Sequence, residues 1–225
     1  MSKFGCYNRD VATVKRSYGQ YCGFARALEL VGERWALLII RDLLIGPKRF
    51  SELQRGLPGI PTNVLTARLN ELEDSGLVQR RPLARPAKGV AYELTEAGAE
   101  LEDPVLALGR WGAERLGEPR PDETITQDSI AMALRTTFQP KATGKAKVTY
   151  LLRMGDIEVH AHVRDGSITV GRGAVAKPDL TIETGPALRA LLAREISPAE
   201  ALEKRLVRAT GNPKLLQRFV NTFRI

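Results

Sequence analysis

Apolar side chains recur at helical spacing through the first half of this chain. The pattern predicts helices over residues 18–31, 33–45 and 61–75, and one that starts at Ser51 with Gln54 completing a capping box. Segment 33–45 is apolar on nearly every side, which is typical of a buried central helix. The first half is therefore expected to be helical and to pack around that segment.

The segment 61–75 carries different side chains on two opposite faces. Leu65, Leu69 and Leu72 recur every three or four residues and predict the face that packs on a core. The other face bears short, uncharged side chains, most of which donate and accept hydrogen bonds: Thr62, Asn63, Thr66, Ala67 and Asn70. A solvated face would more often carry Glu and Lys. The pattern therefore favours contacts with base edges in a major groove.

A basic hairpin is predicted directly after this helix. Segments 77–82 and 90–94 have strand character and are joined by a tip that contains proline and glycine. Four cations and no acid lie between residues 79 and 90: Arg80, Arg81, Arg85 and Lys88. Such charge can serve solubility alone, but its placement at a hairpin fits phosphate contact better. The order helix, turn, helix and basic hairpin predicts a winged helix that binds DNA.

The second half changes from helical spacing to alternation. Thr95 is expected to cap a long helix that reaches about Leu116, and the proline-bearing segment 118–124 to form a linker. The predicted strands are 148–154, 157–163, 168–170, 179–183 and 206–210. The predicted helices lie near residues 128–138, 186–193, after 197 and after 212.

The expected fold class is α+β, with a winged helix-turn-helix domain followed by a small α+β domain whose sheet is mostly antiparallel. The boundaries place a flexible arm at residues 1–17, the DNA-binding and dimerisation domain at 18–117, a linker at 118–124 and the second domain at 125–225.

The composition excludes several classes of protein but does not by itself assign a function. The 225 residues include 34 Lys and Arg against 26 Asp and Glu, a net charge of +8, which favours a polyanionic partner but is not concentrated in the predicted DNA-binding half. Two cysteines make neither a disulfide framework nor a zinc site. With no apolar signal segment and no stretch long enough to cross a bilayer, we expect a cytoplasmic protein without a membrane partner.

Two further features are candidate sites. Cys22 lies near a helix N-terminus with Arg26 one turn on, and both favour the reactive thiolate; a small buried side chain is the alternative. His160 and His162 share one strand face, but no third ligand at recognisable spacing accompanies them. We therefore expect no metal, no cofactor and, in the absence of a catalytic constellation, no enzyme.

Several motifs resemble the HxlR-type winged-helix regulators of bacteria. They include Gly32-Glu33-Arg34-Trp35, Arg49-Phe50-Ser51-Glu52-Leu53 and Gly76-Leu77-Val78, and the resemblance runs from about Cys22 to Leu116. Pro61 stands where that family usually has Ser, so that either Thr62 caps the recognition helix or the helix starts one residue late.

The resemblance implies a homodimer on double-stranded DNA, with dimer contacts from the N-terminal helix and from the long helix after the wing. The expected dimer residues are Phe24, Leu28, Leu101, Val105, Leu108 and Trp111. Expected phosphate contacts outside the hairpin are Lys48, Arg49, Ser51 and Arg68, with an ion pair to Glu71 as the alternative for Arg68. Some members of the family use a thiol at the place of Cys22 as a switch.

Residues from about Thr124 onward resemble, more loosely, the sterol-carrier-protein fold. Asp165-Gly166, Pro178-Asp179-Leu180-Thr181 and Thr210-Gly211-Asn212 carry this likeness. It implies an apolar tunnel and, by analogy, an apolar small-molecule effector.

The sequence thus predicts a homodimeric, sequence-specific regulator of transcription on a pseudo-palindromic operator, controlled by that effector or by Cys22. The alternatives are an intracellular lipid-binding protein that uses the winged helix only to dimerise, and an enzyme built on the C-terminal cavity around His160.

Overall fold

The computed structural model describes residues 17–83, 88–117 and 119–225. The predicted arm, apart from Ser17, and the tip residues 84–87 lie outside these ranges. The N-terminal half contains six helices and one hairpin within the described residues: α1 (Gly23–Val31), α2 (Ala36–Leu44), α3 (Phe50–Gly56), α4 (Thr62–Asp74), β1 (Val78–Pro82), β2 (Val90–Leu94), α5 (Glu96–Ala99) and α6 (Glu102–Ala113).

The C-terminal half alternates helices and strands. In chain order these are α7 (Gln127–Thr137), a short 3-10 turn (Pro140–Ala142), β3 (Lys147–Met154), β4 (Ile157–Arg164), β5 (Ser167–Arg172), β6 (Leu180–Thr184), α8 (Ala187–Leu192), α9 (Pro198–Glu203), β7 (Val207–Gly211) and α10 (Lys214–Thr222).

Helix α2 lies at the centre of the N-terminal core. Ile39 and Ile40 are fully buried and share one apolar cluster with the leucines of α3 and α4. The helix begins later than its apolar pattern predicts, because Trp35 adopts a left-handed φ of 80°. The expectation that this segment is the buried centre of the N-terminal half agrees with the structure.

The start of α3 differs from the expected capping box at Ser51. Glu52 accepts a hydrogen bond from the backbone N–H of Arg49 at 2.7 Å, so the helix starts at Phe50 and Ser51 lies within its first turn. The predicted pair Ser51 and Gln54 is therefore wrong, since Gln54 bonds elsewhere. A turn through Gly59, whose φ is +80°, leads into α4.

The two strands of the hairpin pair in antiparallel register from its base to the start of its tip. Val78 pairs with Leu94 at its base, and Pro82 with Val90 near its tip. Lys48 adds a one-residue bridge to β2, because its N–H and C=O both bond Tyr92, at 2.9 and 2.7 Å. The hairpin thus gains a third, very short strand on its inner side.

The long helix expected after Thr95 is divided in two. Thr95 caps it as predicted, with Oγ1 accepting the N–H of Gly98 at 3.1 Å. The helix then breaks at Glu100 and Leu101 before α6 begins. Gly98 allows α5 to lie close to the hairpin, since a Cβ there would come within 2.0 Å of the carbonyl oxygen of Leu77.

The C-terminal sheet is mixed: three of its strand pairings are antiparallel, as the sequence predicts, and one is parallel. Its strands lie in the order β5-β4-β3-β6-β7, and β6 runs parallel to β3. Strands β3, β4 and β5 form a meander that ends at one edge of the sheet. The chain therefore crosses over and adds β6 on the other side of β3, where it enters in the same direction as β3.

One face of this sheet is covered and the other is polar. Tyr150, Phe219 and Phe223 are fully buried between the covered face and α10, with ring centroids 4.7 to 6.0 Å apart. On the polar face His160 lies over Gly171 and bonds the carbonyl oxygen of Gly173 at 2.9 Å. No helix among the described residues is long and apolar enough to cross a membrane.

Helix α7 belongs to the C-terminal core and also contacts the N-terminal half. Ala131 and Leu134 are fully buried in the cluster beneath the sheet. Asp128 and Arg135 bond residues of the N-terminal half, at Lys48 and at the carbonyl oxygen of Leu44. Helix α7 is therefore buried on both sides and forms much of the contact between the two halves.

Candidate nucleic-acid interface

Helix α4 presents the uncharged face that its sequence predicts. Leu65, Leu69 and Leu72 are buried, whereas the opposite side bears the exposed Thr62, Asn63, Thr66 and Asn70 and the half-buried Ala67. The helix begins at Thr62, with Pro61 at the N-cap position and no side-chain cap. The base-contact residues expected from the sequence thus lie together on one accessible face.

Hydrogen bonds fix part of this face and leave part of it open. Thr62 Oγ1 accepts a hydrogen bond from Gln54 Nε2 at 2.7 Å, and the Thr66 hydroxyl donates to the carbonyl oxygen of Thr62 at 2.9 Å. In the described part of the chain no hydrogen bond is made by the side-chain amide of Asn63. Asn63 therefore has both a donor and an acceptor available to a base edge.

The wing, which we define as β1, β2 and the tip between them, places Arg80 beside the recognition helix α4. The guanidinium group of Arg80 bonds Glu73 at 3.0 Å, lies 3.5 Å from Oδ1 of Asn70 and stands over the ring of Tyr92 at 5.6 Å. Arg81 pairs with Glu93 at 3.2 Å. Exposed ion pairs of this kind are worth only about 0–1 kcal/mol, so a phosphate can compete for these arginines.

Other expected phosphate contacts are accessible or lie outside the described residues. Arg49 and Ser51 are exposed at the start of α3, and Lys88 is exposed at the end of the tip. Arg85 falls within residues 84–87, outside the described residues. The predicted contacts of Arg49, Ser51, Lys88 and Arg85 with DNA stay predictions.

Two cations expected to contact the DNA backbone pair with carboxylates of the protein in this structure. Lys48 is fully buried and its ammonium lies 2.8 Å from Oδ1 of Asp128, so it does not reach a phosphate in this conformation. Arg68 pairs with Glu71 and with Glu33 at 3.6 Å, and only 19% of its side chain is exposed. The ion pair with Glu71, the alternative for Arg68, is the one the structure contains.

Sequence reasoning missed the roles of three residues that shape this surface. Gln54 orients Thr62, Tyr92 carries the ring beneath Arg80, and Asp128 holds Lys48. Tyr92 alone had a detectable signal, because pairing the two strands from the base of the hairpin sets it opposite Arg80. Gln54 and Asp128 follow only from tertiary packing.

Cys22 lies exposed at the N-cap position of α1. The backbone N–H groups of Ala25 and Phe24 lower the pKa of its thiol, as the helix N-terminus predicts. Arg26 does not contribute in the way the sequence suggests, because it bonds Glu29 at 3.0 Å.

Large apolar side chains stand exposed on α1 and α6. Phe24 is 73% exposed, Leu108 52% and Trp111 58%, while the half-buried Leu101 and Val105 pack on the N-terminal core. Leu28 is half-buried on α1. Solvent-exposed aromatic and leucine side chains in such a group are typical of a surface that another chain covers.

A helix-turn-helix with an uncharged exposed face and an arginine-bearing hairpin beside it defines a winged-helix protein. Residues 30–119 match the model of the HxlR-like helix-turn-helix family. The chain is 41% identical over 91 residues to the uncharacterized HTH-type transcriptional regulator YkvN of Bacillus subtilis, a match that covers 40% of this chain and 77% of that protein. The chain belongs to the HxlR-like family.

Two further likenesses concern the same half of the chain. The uncharacterized HTH-type transcriptional regulator Rv3095 of Mycobacterium tuberculosis is 47% identical over 97 residues, which are 43% of this chain and 60% of that protein. The solved structure of the redox regulator HypR in its oxidized form is 34% identical, with a TM-score of 0.40 over 43% of this chain and 99% of that one. The chain thus spans only 60% of the length of its mycobacterial relative.

Proposed function

We propose that this protein is a sequence-specific DNA-binding regulator of transcription that acts as a homodimer. The observation that carries the proposal is the accessible face of α4, where the side-chain amide of Asn63 makes no hydrogen bond within the described residues and Arg80 stands beside Asn70. Short amides and hydroxyls suit base edges, and guanidinium groups at the flank suit phosphates. Membership of a family whose relatives are named transcriptional regulators supports the same function.

The homodimer is inferred from the exposed apolar side chains of α1 and α6. Burying Phe24, Leu108 and Trp111 against a second copy would remove them from water. A twofold axis would then place two α4 helices on one side of a duplex, about 34 Å apart for half-sites one helical turn apart. The expected operator is therefore a pseudo-palindrome.

The experiment that tests the function is selection of duplexes by the full-length protein from a random-sequence pool. Enrichment of one sequence with two inverted half-sites about 10 base pairs apart is the expected result. Recovery of unrelated sequences, with the same affinity for all of them, would contradict sequence-specific binding.

Control through Cys22 is the regulatory part of the proposal with support from geometry. The thiol is exposed and its pKa is lowered, so the thiolate is available to an electrophile. In a Cys6→Ser background, where Cys22 is the only thiol, alkylation by iodoacetamide is expected to change the DNA affinity. The same treatment of a variant that also carries Cys22→Ser should have no effect.

Control by an apolar ligand in the C-terminal half has less support. The space between the sheet and α10 is filled by Tyr150, Phe219 and Phe223, so a ligand would have to displace packed aromatic rings. The same packing weighs against the alternative of a lipid-binding protein. Solvent extraction of the purified protein followed by mass spectrometry tests that alternative, which a stoichiometric lipid would favour.

A further inference from the structure

Helix α7 has a second buried side that faces the N-terminal half. Asp128, Arg135 and Thr136 lie on this side, seven and eight residues apart. Arg135 donates to the carbonyl oxygen of Leu44 at 2.8 Å, and a Cβ placed on Gly109 of α6 would lie 3.1 Å from Oγ1 of Thr136. The contact between the halves is therefore close and specific, and its geometry is set by α7.

Within that contact Asp128 and Lys48 form a buried ion pair. Lys48 is fully buried, Asp128 is 5% exposed, and Nζ lies 2.8 Å from Oδ1. The guanidinium group of Arg172 on β5 lies 3.9 Å from the same Asp128 oxygen and 3.7 Å from a carboxylate oxygen of Glu52 on α3. Removing one partner of a buried pair leaves the other charge uncompensated, so the two residues hold each other in place.

Lys48 connects this pair to the wing through its own backbone. Its N–H and C=O bond Tyr92 of β2, and Tyr92 is the strand partner of Arg80 and lies beneath its guanidinium group. A two-stranded hairpin is marginal on its own. The Lys48 bridge adds a third segment to it, and Asp128 fixes that segment from the C-terminal half.

We propose that Asp128 is a positioning residue for the wing: by holding the Lys48 ammonium, it fixes the segment on which β2 and Arg80 are aligned beside α4. The C-terminal half thereby sets the geometry of the DNA-contacting hairpin. The inference rests on the proposed function, which supplies the role of Arg80. A purely structural pair would stabilise the whole fold and would not act selectively on the wing.

Amide hydrogen exchange on the full-length protein separates these two roles. In Asp128→Asn the N–H of Tyr92, which bonds Lys48, should exchange about tenfold faster, while the N–H of Leu69 inside α4 keeps its rate. Glu158→Gln is the matched control, because it makes the same change at an exposed pair with Arg153. Equal acceleration at Tyr92 and Leu69, or none at either, would overturn the inference.

DNA affinity supplies a second, independent readout. With a duplex selected by the wild-type protein, Asp128→Asn should weaken binding about fivefold in the wild-type background. In a background that already carries Arg80→Ala and Arg81→Ala it should weaken binding no further, because the strand arginines whose position depends on the Lys48 bridge are already removed. An equal loss in both backgrounds would show that Asp128 does not act through the wing.

The inference can be tested even if a variant does not fold or no duplex is selected. If Asp128→Asn does not fold, Lys48→Met removes the pair from the other side and goes through the same measurements, with the same expected outcomes. If no duplex can be selected at all, the proposed function fails, while the exchange rates of Tyr92 and Leu69 still decide whether Asp128 positions the hairpin.

Discussion

Oδ2 of Asp42 and Oδ2 of Asp128 face the same space beside Gly56, at the junction of α2, α3 and α7. A Cβ on Gly56 would lie 2.8 Å from the first oxygen and 3.3 Å from the second. Asp42 is fully buried, and its Oδ2 has no hydrogen-bond partner in the described part of the chain, while Oδ1 accepts from Arg41 at 2.8 Å. The junction thus holds two carboxylates, one of them only half satisfied.

The substitution Asp42→Asn is expected to stabilise the protein at neutral pH. Burial raises the pKa of Asp42 from 3.8 to about 6, with Arg41 and Lys48 opposing the rise and Asp128 adding to it. At a pH between these two pKa values, Asp42 is mostly protonated in the folded state and mostly ionised in the unfolded chain. The free energy of unfolding therefore falls as pH rises through this window, by on the order of 3 kcal/mol.

Asn cannot ionise, so the substitution removes the cost of a buried charged carboxylate. Its amide oxygen can still accept the hydrogen bond from Arg41. Denaturant unfolding at pH 4 and at pH 8 measures the effect: the wild type should lose stability between the two values relative to Asp42→Asn. Asp122→Asn, at an exposed aspartate of the linker, is the control and should leave the pH profile unchanged. A variant less stable than wild type at pH 8 would contradict the assignment of an uncompensated carboxylate.

Gly56→Ala tests the packing of the same junction. The added methyl would come within 2.8 Å of the Asp42 carboxylate, so that side chain must move, and overpacking of this kind costs about 1–3 kcal/mol. Gly112→Ala in α6 is the matched control, since nothing lies within 4 Å of its Cβ position. Thermal unfolding should lower the Tm of the first variant and leave or raise that of the second. Equal Tm values would show that the junction is loosely packed.

Local sequence signals predicted the helix-turn-helix and the hairpins well. The spacing of Leu65, Leu69 and Leu72 placed α4 to within one residue at each end, because each leucine is in fact buried on one side. Thr95 was correctly predicted as a cap. These features depend on neighbours within a few residues, which is the range that periodicity and capping rules cover.

Features set by distant contacts could not be predicted. Lys48 precedes α3 where a phosphate contact is reasonable, but its partner Asp128 lies 80 residues further on. Likewise the parallel pairing of β3 with β6 depends on which sheet edge remains free after the meander. Neither strand's own sequence contains that information.

Arg80 and Arg81 of the wing are expected to contribute about 2 to the slope of log DNA affinity against log salt concentration. Each phosphate contact contributes a slope of about −0.9 in log affinity against log salt. Arg80→Ala combined with Arg81→Ala should therefore make the slope shallower by about 2. The control is Arg208→Ala on β7, an 80% exposed arginine at the sheet edge opposite β5. A slope unchanged by the wing variant would exclude phosphate contacts there.

Asn63→Ala is expected to change sequence preference more than salt dependence. Its amide is exposed and carries no charge, so its loss removes base hydrogen bonds worth about 1–3 kcal/mol of discrimination and releases no counterion. Competition between the selected duplex and single-base variants measures the discrimination at each position. Loss of preference at one position per half-site, with an unchanged salt slope, is the expected pattern. An equal loss of affinity for all duplexes would show that Asn63 contacts the DNA backbone instead.

If the proposed homodimer forms through α6, Trp111→Glu is expected to convert it to a monomer without unfolding the chain. The ring is 58% exposed in the single chain and lies under the guanidinium group of Arg115, 4.2 Å from its centroid, so most of its surface is not used in the fold of one chain. In an interface, a central Trp contributes about 2–4 kcal/mol, and a buried Glu would add an unpaired charge. Sedimentation equilibrium should show a dimer for wild type and for Leu206→Glu, an exposed leucine of the C-terminal half, and a monomer for Trp111→Glu. If Trp111→Glu stayed dimeric, the exposed side of α6 would not be the interface.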